Sequence, residues 1–209
     1  MAKKTTGKKN SKPSFIEEAR RKQILEIAMN RIINYGYENF SIQEIANEAN
    51  VTKGVIYYHF KGKEELIGTL FANINNELFE YRAKLVEKQK SAVKKLETHV
   101  LETFAFLTQN HNKLVAILKI GLDLKSPKAS KNLFGHEATG RCNNFIEKIL
   151  SDGIKSGEFL DIDPKSAAPI IQAAADGLLL QWLSGAEGLD LNKSRDILIK
   201  MVLSYVKAD

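Results

Sequence analysis

Apolar positions recur at intervals of three and four residues through most of the chain, the period of a helix rather than the alternation of a strand. Ile24, Ala28, Ile32 and Tyr35 mark one face of a first helix. Its start is at Ser14, where Ser14 and Glu17 form a capping box in which each side chain satisfies the other's exposed backbone donor. Gly36, able to turn left-handed, stops it. A short second helix follows Ser41, with Glu44 completing another capping box and Phe40 stapled onto Ile45. Ile42, Ile45, Ala46 and Ala49 form its buried face. After a tight turn at Asn50-Val51, Thr52 caps a third short helix that runs to about His59. Val51 can staple onto Ile56, and Ile56 and Phe60, one turn apart, face the core. Lys61-Gly62 breaks the chain, and a fourth helix starts near Lys63 with Glu64 and Glu65 in its favourable first turn.

Beyond Lys63 the pattern predicts five or six further helices, clearest over 92–109, 111–122, 127–155, 164–184 and 192–207. Ser126-Pro127 and Asp163-Pro164 each place a capping side chain before a proline at the first helical position. Gly153 and Gly157 mark one helix end, and Pro169 should kink the helix that follows, because it lacks a backbone donor. Ile170, Ala174, Leu178 and Trp182 fall on one side of the penultimate helix. Ile197, Met201 and Tyr205 do so on the last. Two such helices from each of two subunits would make a four-helix bundle; the spacing alone equally allows the core of a monomer.

Composition narrows the class. The chain has 209 residues, 44% hydrophobic and 27% charged, which is ordinary globular composition and one or two domains. A single cysteine, Cys142, excludes a disulfide within the chain and a cysteine-based zinc site, and reads as a small buried residue. The longest apolar stretch, 167–183, is interrupted by Gln172, Asp176 and Gln181 and is shorter than the roughly 20 residues a spanning helix needs. No membrane segment or secretory signal is expected, and the protein reads as soluble and cytoplasmic. The net charge is +6. Residues 1–65 carry 12 Lys/Arg against 8 Asp/Glu, a net of +4, which mildly favours an anionic partner for that third. Much of this excess is a basic tail, residues 1–13. It is either a solubilising extension or an arm that adds phosphate or minor-groove contacts.

Two short helices joined by a tight turn, behind a longer packing helix, form a helix-turn-helix pattern. The spacing alone leaves a plain helical bundle open. The residues within the pattern are more specific. Ile24-Leu25-x-x-Ala28, Gly36-Tyr37-x-x-Phe40-Ser41-Ile42-x-x-Ile45-Ala46, Ala49-x-Val51-Thr52-Lys53-Gly54-Val55-Ile56-Tyr57-Tyr58-His59-Phe60 and Lys61-x-Lys63-x-x-Leu66 together resemble the TetR family of bacterial transcriptional repressors. A weaker resemblance covers Gly153 to Pro164. The resemblance implies an all-α homodimer: an N-terminal three-helix DNA-binding domain, residues 14–62, and a C-terminal domain, residues 63–209, that binds a small molecule and dimerises. Ligand binding would then shift the dimer so that its two recognition helices no longer fit a palindromic operator.

A major groove about 12 Å wide admits one helix. The third helix can present Thr52, Lys53, Gly54 and Val55 to it. Gly54 lets the backbone approach closely, Lys53 can read guanine or neutralise phosphate, and Val55 can touch a thymine methyl. By resemblance, Tyr57 and His59 contact DNA, Gln43 reaches a base, and Ser41 and Lys63 clamp phosphate. Tyr58 is as readily a packing residue as a contact.

The effector pocket is expected between the middle helices. Phe71, Phe104, Leu107, Ile117, Phe134 and Phe145 are its candidate apolar lining, with Phe79 and Phe106. His99, His111 and Arg141 are candidate polar contacts, with Glu102. This aromatic supply implies a mainly apolar or amphipathic ligand.

No glycine-rich phosphate loop, nucleophile elbow or metalloprotease helix is present, and the four histidines lack metal-ligand spacing. An enzyme, a metal and a cofactor are therefore not expected. The alternatives are a helix-turn-helix protein without an effector, and an activator.

Overall fold

The computed structural model describes residues 14–123 and 136–208, and within them the protein is all-α. Nine helices follow in order: α1 (Phe15–Tyr35), α2 (Ile42–Glu48), α3 (Lys53–His59), α4 (Lys63–Val86), α5 (Ala92–Gln109), α6 (His111–Asp123), α7 (His136–Lys155), α8 (Pro164–Leu183) and α9 (Leu191–Val206). The basic tail, the Ser126-Pro127 helix start and Phe134 lie outside the described residues.

Local chemistry explains the first boundaries. Both capping boxes form: Ser14 with Glu17 at α1 and Ser41 with Glu44 at α2. Gly36 ends α1 at φ 81° and ψ 170°, so its φ is positive but the chain leaves extended rather than through a left-handed turn. Asn50, at φ 51°, makes the turn between α2 and α3; asparagine tolerates this region better than most residues. Thr52 occupies the cap position of α3 with extended backbone, yet its side chain makes no capping hydrogen bond. Tyr35 departs from the predicted apolar stripe. It is 54% exposed at the far end of α1, where the Arg31 guanidinium lies over its ring.

Packing divides the interior into two clusters. The first joins α1, α2 and α3 to one face of α4 through Leu66, Ile67, Leu70, Phe71 and Ile74, and to α6 through Ala116 and Ile120. The second is built from the rest of α4 with α5, α6, α7, α8 and α9. Ile117 packs against both. Helices α4 and α6 are therefore shared between the two halves.

In the second half, Gly153 sits under Phe159, and a Cβ at that position would overlap the Phe159 ring. Gly157, at φ 76°, then turns the chain, and Phe159 and Lys207 form an isolated bridge. Asp163 caps α8 through the Lys165 amide, with Pro164 at the first helical position, and the helix continues through Pro169 to Leu183.

Candidate DNA interface and effector cavity

The buried side chains of α2 and α3 point into the first cluster, with Ile45, Ala46 and Ile56 fully enclosed and Phe60 nearly so. Helical geometry then turns the intervening residues outward. Ser41, Gln43, Thr52, Lys53, Gly54, Tyr57 and Tyr58 are exposed, while Val55, His59 and Lys63 are half-buried. The ten residues expected to meet DNA thus lie on α2 and α3, at their N-terminal caps, and at the start of α4.

Several of them are already engaged. Gln43 Nε2 donates to Asn47 Oδ1 at 2.7 Å. Tyr58 donates its hydroxyl to Glu17 Oε1 at 2.6 Å, which ties α3 to the first turn of α1. This bond lowers the Glu17 pKa and raises that of Tyr58. Burial, and then the neighbouring Arg21 charge, lower the His59 pKa. Lys63 Nζ donates to the Phe40 carbonyl at 2.7 Å and lies over the Phe40 and Tyr37 rings. Its desolvation lowers its pKa.

Positioning residues outside the expected set hold this surface together. Arg21 Nη1 donates to the His59 carbonyl at 2.7 Å, a cation at the C-terminal end of α3. Arg31 pairs with Glu48 at 2.8 Å and Glu44 at 3.4 Å, joining α1 to α2. Their sequence positions gave no sign of these roles, because each arginine reads as one more charge on a solvated helix face.

The second half encloses a cavity of about 240 Å³. One wall is a stripe of α4, namely Phe71, Asn75, Leu78 and Arg82. Thr103 and Leu107 come from α5; Leu114, Ile117, Leu118 and Gly121 from α6; Cys142 from α7; and Gln172, Asp176 and Leu179 from α8. A water needs about 10–15 Å³ of such space, so an organic molecule of on the order of ten to twenty heavy atoms fits.

The cavity gathers some of the expected lining. Phe71, Leu107 and Ile117 face it. Phe104 is buried in the second cluster rather than on the cavity wall. Phe145 packs edge-on against Phe79 and beside His99. His99 is buried with Nδ1 unpartnered, and burial, with the Arg82 charge second, drives its pKa well below the usual value. His111 meets Trp182 edge-on. Arg141 bonds Asn76 Oδ1 at 2.7 Å.

The polar cavity residues Arg82, Thr103, Gln172 and Asp176 were not foreseen. Arg82 is fully buried, donates to Thr103 Oγ1 at 2.9 Å and to the Cys142 thiol at 3.4 Å, and leaves Nε without a partner. Asp176 accepts from Gln172 Nε2 at 2.8 Å. Crowding by protein atoms raises its pKa, while Gln172 and Arg82 oppose that. Its side chain still reaches solvent.

On α8 and α9, apolar side chains remain uncovered. Ile170, Ile197, Met201 and Tyr205 are each more than half exposed. Ile170, Ala174, Met201 and Tyr205 share one groove with Leu198 and Val202. Leu178 and Trp182 are half-buried against the second cluster. No helix among the described residues is long and apolar enough to cross a membrane.

Residues 24–70 match the family model described as bacterial regulatory proteins, tetR family. The chain is 30% identical over 198 residues to the HTH-type transcriptional regulator AcrR of Shigella flexneri, covering 88% of this chain and 89% of that protein. It is 25% identical over 185 residues to the fatty acid metabolism regulator protein of Bacillus subtilis, covering 88% and 94%. The crystal structure of the transcriptional regulator FadR from Bacillus subtilis in complex with stearoyl-CoA shares the fold, with a TM-score of 0.78 at 24% identity over 88% of this chain and 97% of that one.

Proposed function

Because this chain belongs to the TetR family of bacterial transcriptional regulators, and is therefore a transcription factor rather than an enzyme, we propose that it is a cytoplasmic repressor that binds a palindromic operator as a homodimer and is released by a small, mainly apolar molecule. The observation that carries this reading is the position of α6. One face of α6, with Ile117 and Gly121, lines the cavity. Its other face, with Ala116 and Ile120, fills the core of the helix-turn-helix half. A ligand that presses on the first face moves the second against α1.

In this reading residues 14–62 are the DNA-binding domain and residues 63–209 bind the effector and dimerise. Lys53, Gly54 and Val55 meet base edges with Gln43, while Ser41, Thr52, Tyr57, Tyr58, His59 and Lys63 hold the backbone. The absence of a capping bond at the exposed Thr52 hydroxyl supports its use toward phosphate. The uncovered apolar face of α8 and α9 supports a four-helix dimer interface through Ile170, Ala174, Leu178, Trp182, Ile197, Met201 and Tyr205. The stearoyl-CoA held by the Bacillus subtilis FadR structure supports an apolar effector here.

The two recognition helices of a dimer dock together only when they reach half-sites about 34–36 Å apart, so a modest rotation through α4 ends binding. To take occupancy from nearly full to nearly empty, the effector must favour the non-binding state by about 5.5 kcal/mol.

The test is an in vitro selection from random duplex DNA at near-physiological salt. Recovery of a palindrome supports a sequence-specific dimeric regulator. Recovery of no sequence by a folded dimer overturns it. An effector-free DNA-binding protein is disfavoured by the cavity itself, whose wall includes a buried cation.

A further inference from the structure

Arg82 is a fully buried arginine on the cavity wall. Its guanidinium is a planar cation. Among the described residues it forms no ion pair. Its partners are a hydroxyl and a thiol, two weak matches for a cation, and Nε has none. An uncompensated buried charge is costly, and a guanidinium offers a planar fork of donors suited to a carboxylate. Much of the remaining cavity wall is apolar, with Phe71, Leu78, Leu107 and Leu114 among its residues. Phe71, Asn75, Leu78 and Arg82 follow one another at about one turn each on α4, a stripe about 16 Å long with the cation at one end.

Resting on the regulatory reading above, we propose that the effector has an apolar chain and a single carboxylate head, and that Arg82 holds the head at the far end of the α4 stripe. Thr103, already bonded to the guanidinium, orients it. The chain then lies along Leu78 and Phe71 and reaches Ile117, the residue shared by both cores. Asp176, which lines the same cavity from α8 and feels the Arg82 charge without forming an ion pair with it, provides the counter-test: if it were the anchor, a cationic head would be preferred.

The experiment compares decanoate, decan-1-ol and decylamine by titration calorimetry on the full chain at neutral pH, with displacement of a selected DNA duplex as a second readout. Decanoate is expected to bind about 10- to 100-fold more tightly than decan-1-ol, the range for a charge-assisted hydrogen bond, and decylamine more weakly still. Arg82→Met should abolish the preference for decanoate while retaining decan-1-ol. Arg82→Lys, which keeps the charge and loses the fork, should fall between. The comparison of heads on the wild-type chain stands even if a variant fails to fold. Equal binding of acid and alcohol, preference for decylamine, retention of the preference in Arg82→Met, or binding by none of the three overturns the proposal. Equal binding of acid and alcohol with DNA release would leave the regulatory reading intact. Tight decanoate binding without DNA release would support Arg82 as the anchor and overturn that reading instead.

Discussion

Lys119 donates its ammonium to the Ile33 carbonyl at 2.7 Å, fastening the helix that lines the cavity to the long helix behind the recognition pair. Lys119 touches neither the cavity nor the expected DNA surface, so its loss should act on the coupling between them. Lys119→Met is expected to leave DNA affinity without ligand nearly unchanged. It should reduce the factor by which decanoate weakens DNA binding, by about 2- to 30-fold. Paired titrations of DNA with and without ligand measure that factor, and an unaltered factor would remove this bond from the switch.

Lys63 and Gln43 should fail in different ways. Lys63→Ala removes a cation from the rim of the DNA surface and a charged donor from the Phe40 carbonyl. It should weaken binding on all sequences, reduce the salt slope by about 1, and cost about 1–3 kcal/mol of stability. Gln43→Ala, or Lys53→Ala, should instead relax preference at one base position by about 1–3 kcal/mol. Binding measured against a panel of single-base operator variants at several salt concentrations separates the two. Uniform loss for Gln43→Ala would exclude base reading.

The α8–α9 groove should be an interface. Ile170 is 69% exposed and Met201 65% exposed, so the double change Ile170→Asp and Met201→Asp has little to disturb in a lone subunit. Across a dimer interface it would bury four unpaired carboxylates. Sedimentation equilibrium should show a dimer for the wild type and a folded monomer for the variant. A variant that still dimerises would place the interface elsewhere.

Acid sensitivity should trace to His99. Burial keeps it neutral in the folded protein, whereas the unfolded chain takes up that proton near pH 6.5. Below about pH 6.5 the unfolded state binds the extra proton, so stability falls as pH falls, by up to about 1.4 kcal/mol per pH unit, and is fully present above that range. His99→Leu should flatten this slope in urea unfolding at pH 5.5 and 7.5. The same pH dependence in both proteins would assign the acid sensitivity to another group.

What was legible in the sequence was local. Ser14 with Glu17 and Ser41 with Glu44 are three residues apart, and both pairs form as capping chemistry requires. Most helix bounds fall within a residue or two of the periodic pattern for the same reason. The cavity was legible only in its apolar part. Arg82, Thr103 and Asp176 come from three helices separated by long intervals, and Arg82 sits among Glu80, Tyr81 and Lys84 in a stretch that reads as solvated. One signal was present: Arg82 extends the Phe71–Leu78 stripe at helical spacing, which puts a charge on a buried face. Phe104 satisfied the same apolar spacing as the lining residues, but packs in the second cluster rather than on the cavity wall. Spacing identifies the inner face of a helix and cannot tell a filled interior from an open one.

The measurement that bears most directly on the account is a titration of decanoate into the complex of the protein with its selected operator, followed by fluorescence anisotropy of labelled DNA. The account predicts that anisotropy falls to the free-DNA value as the cavity fills, and that the Arg82→Met complex needs about 10- to 100-fold more decanoate. A cavity saturated with decanoate while the operator stays bound would contradict it.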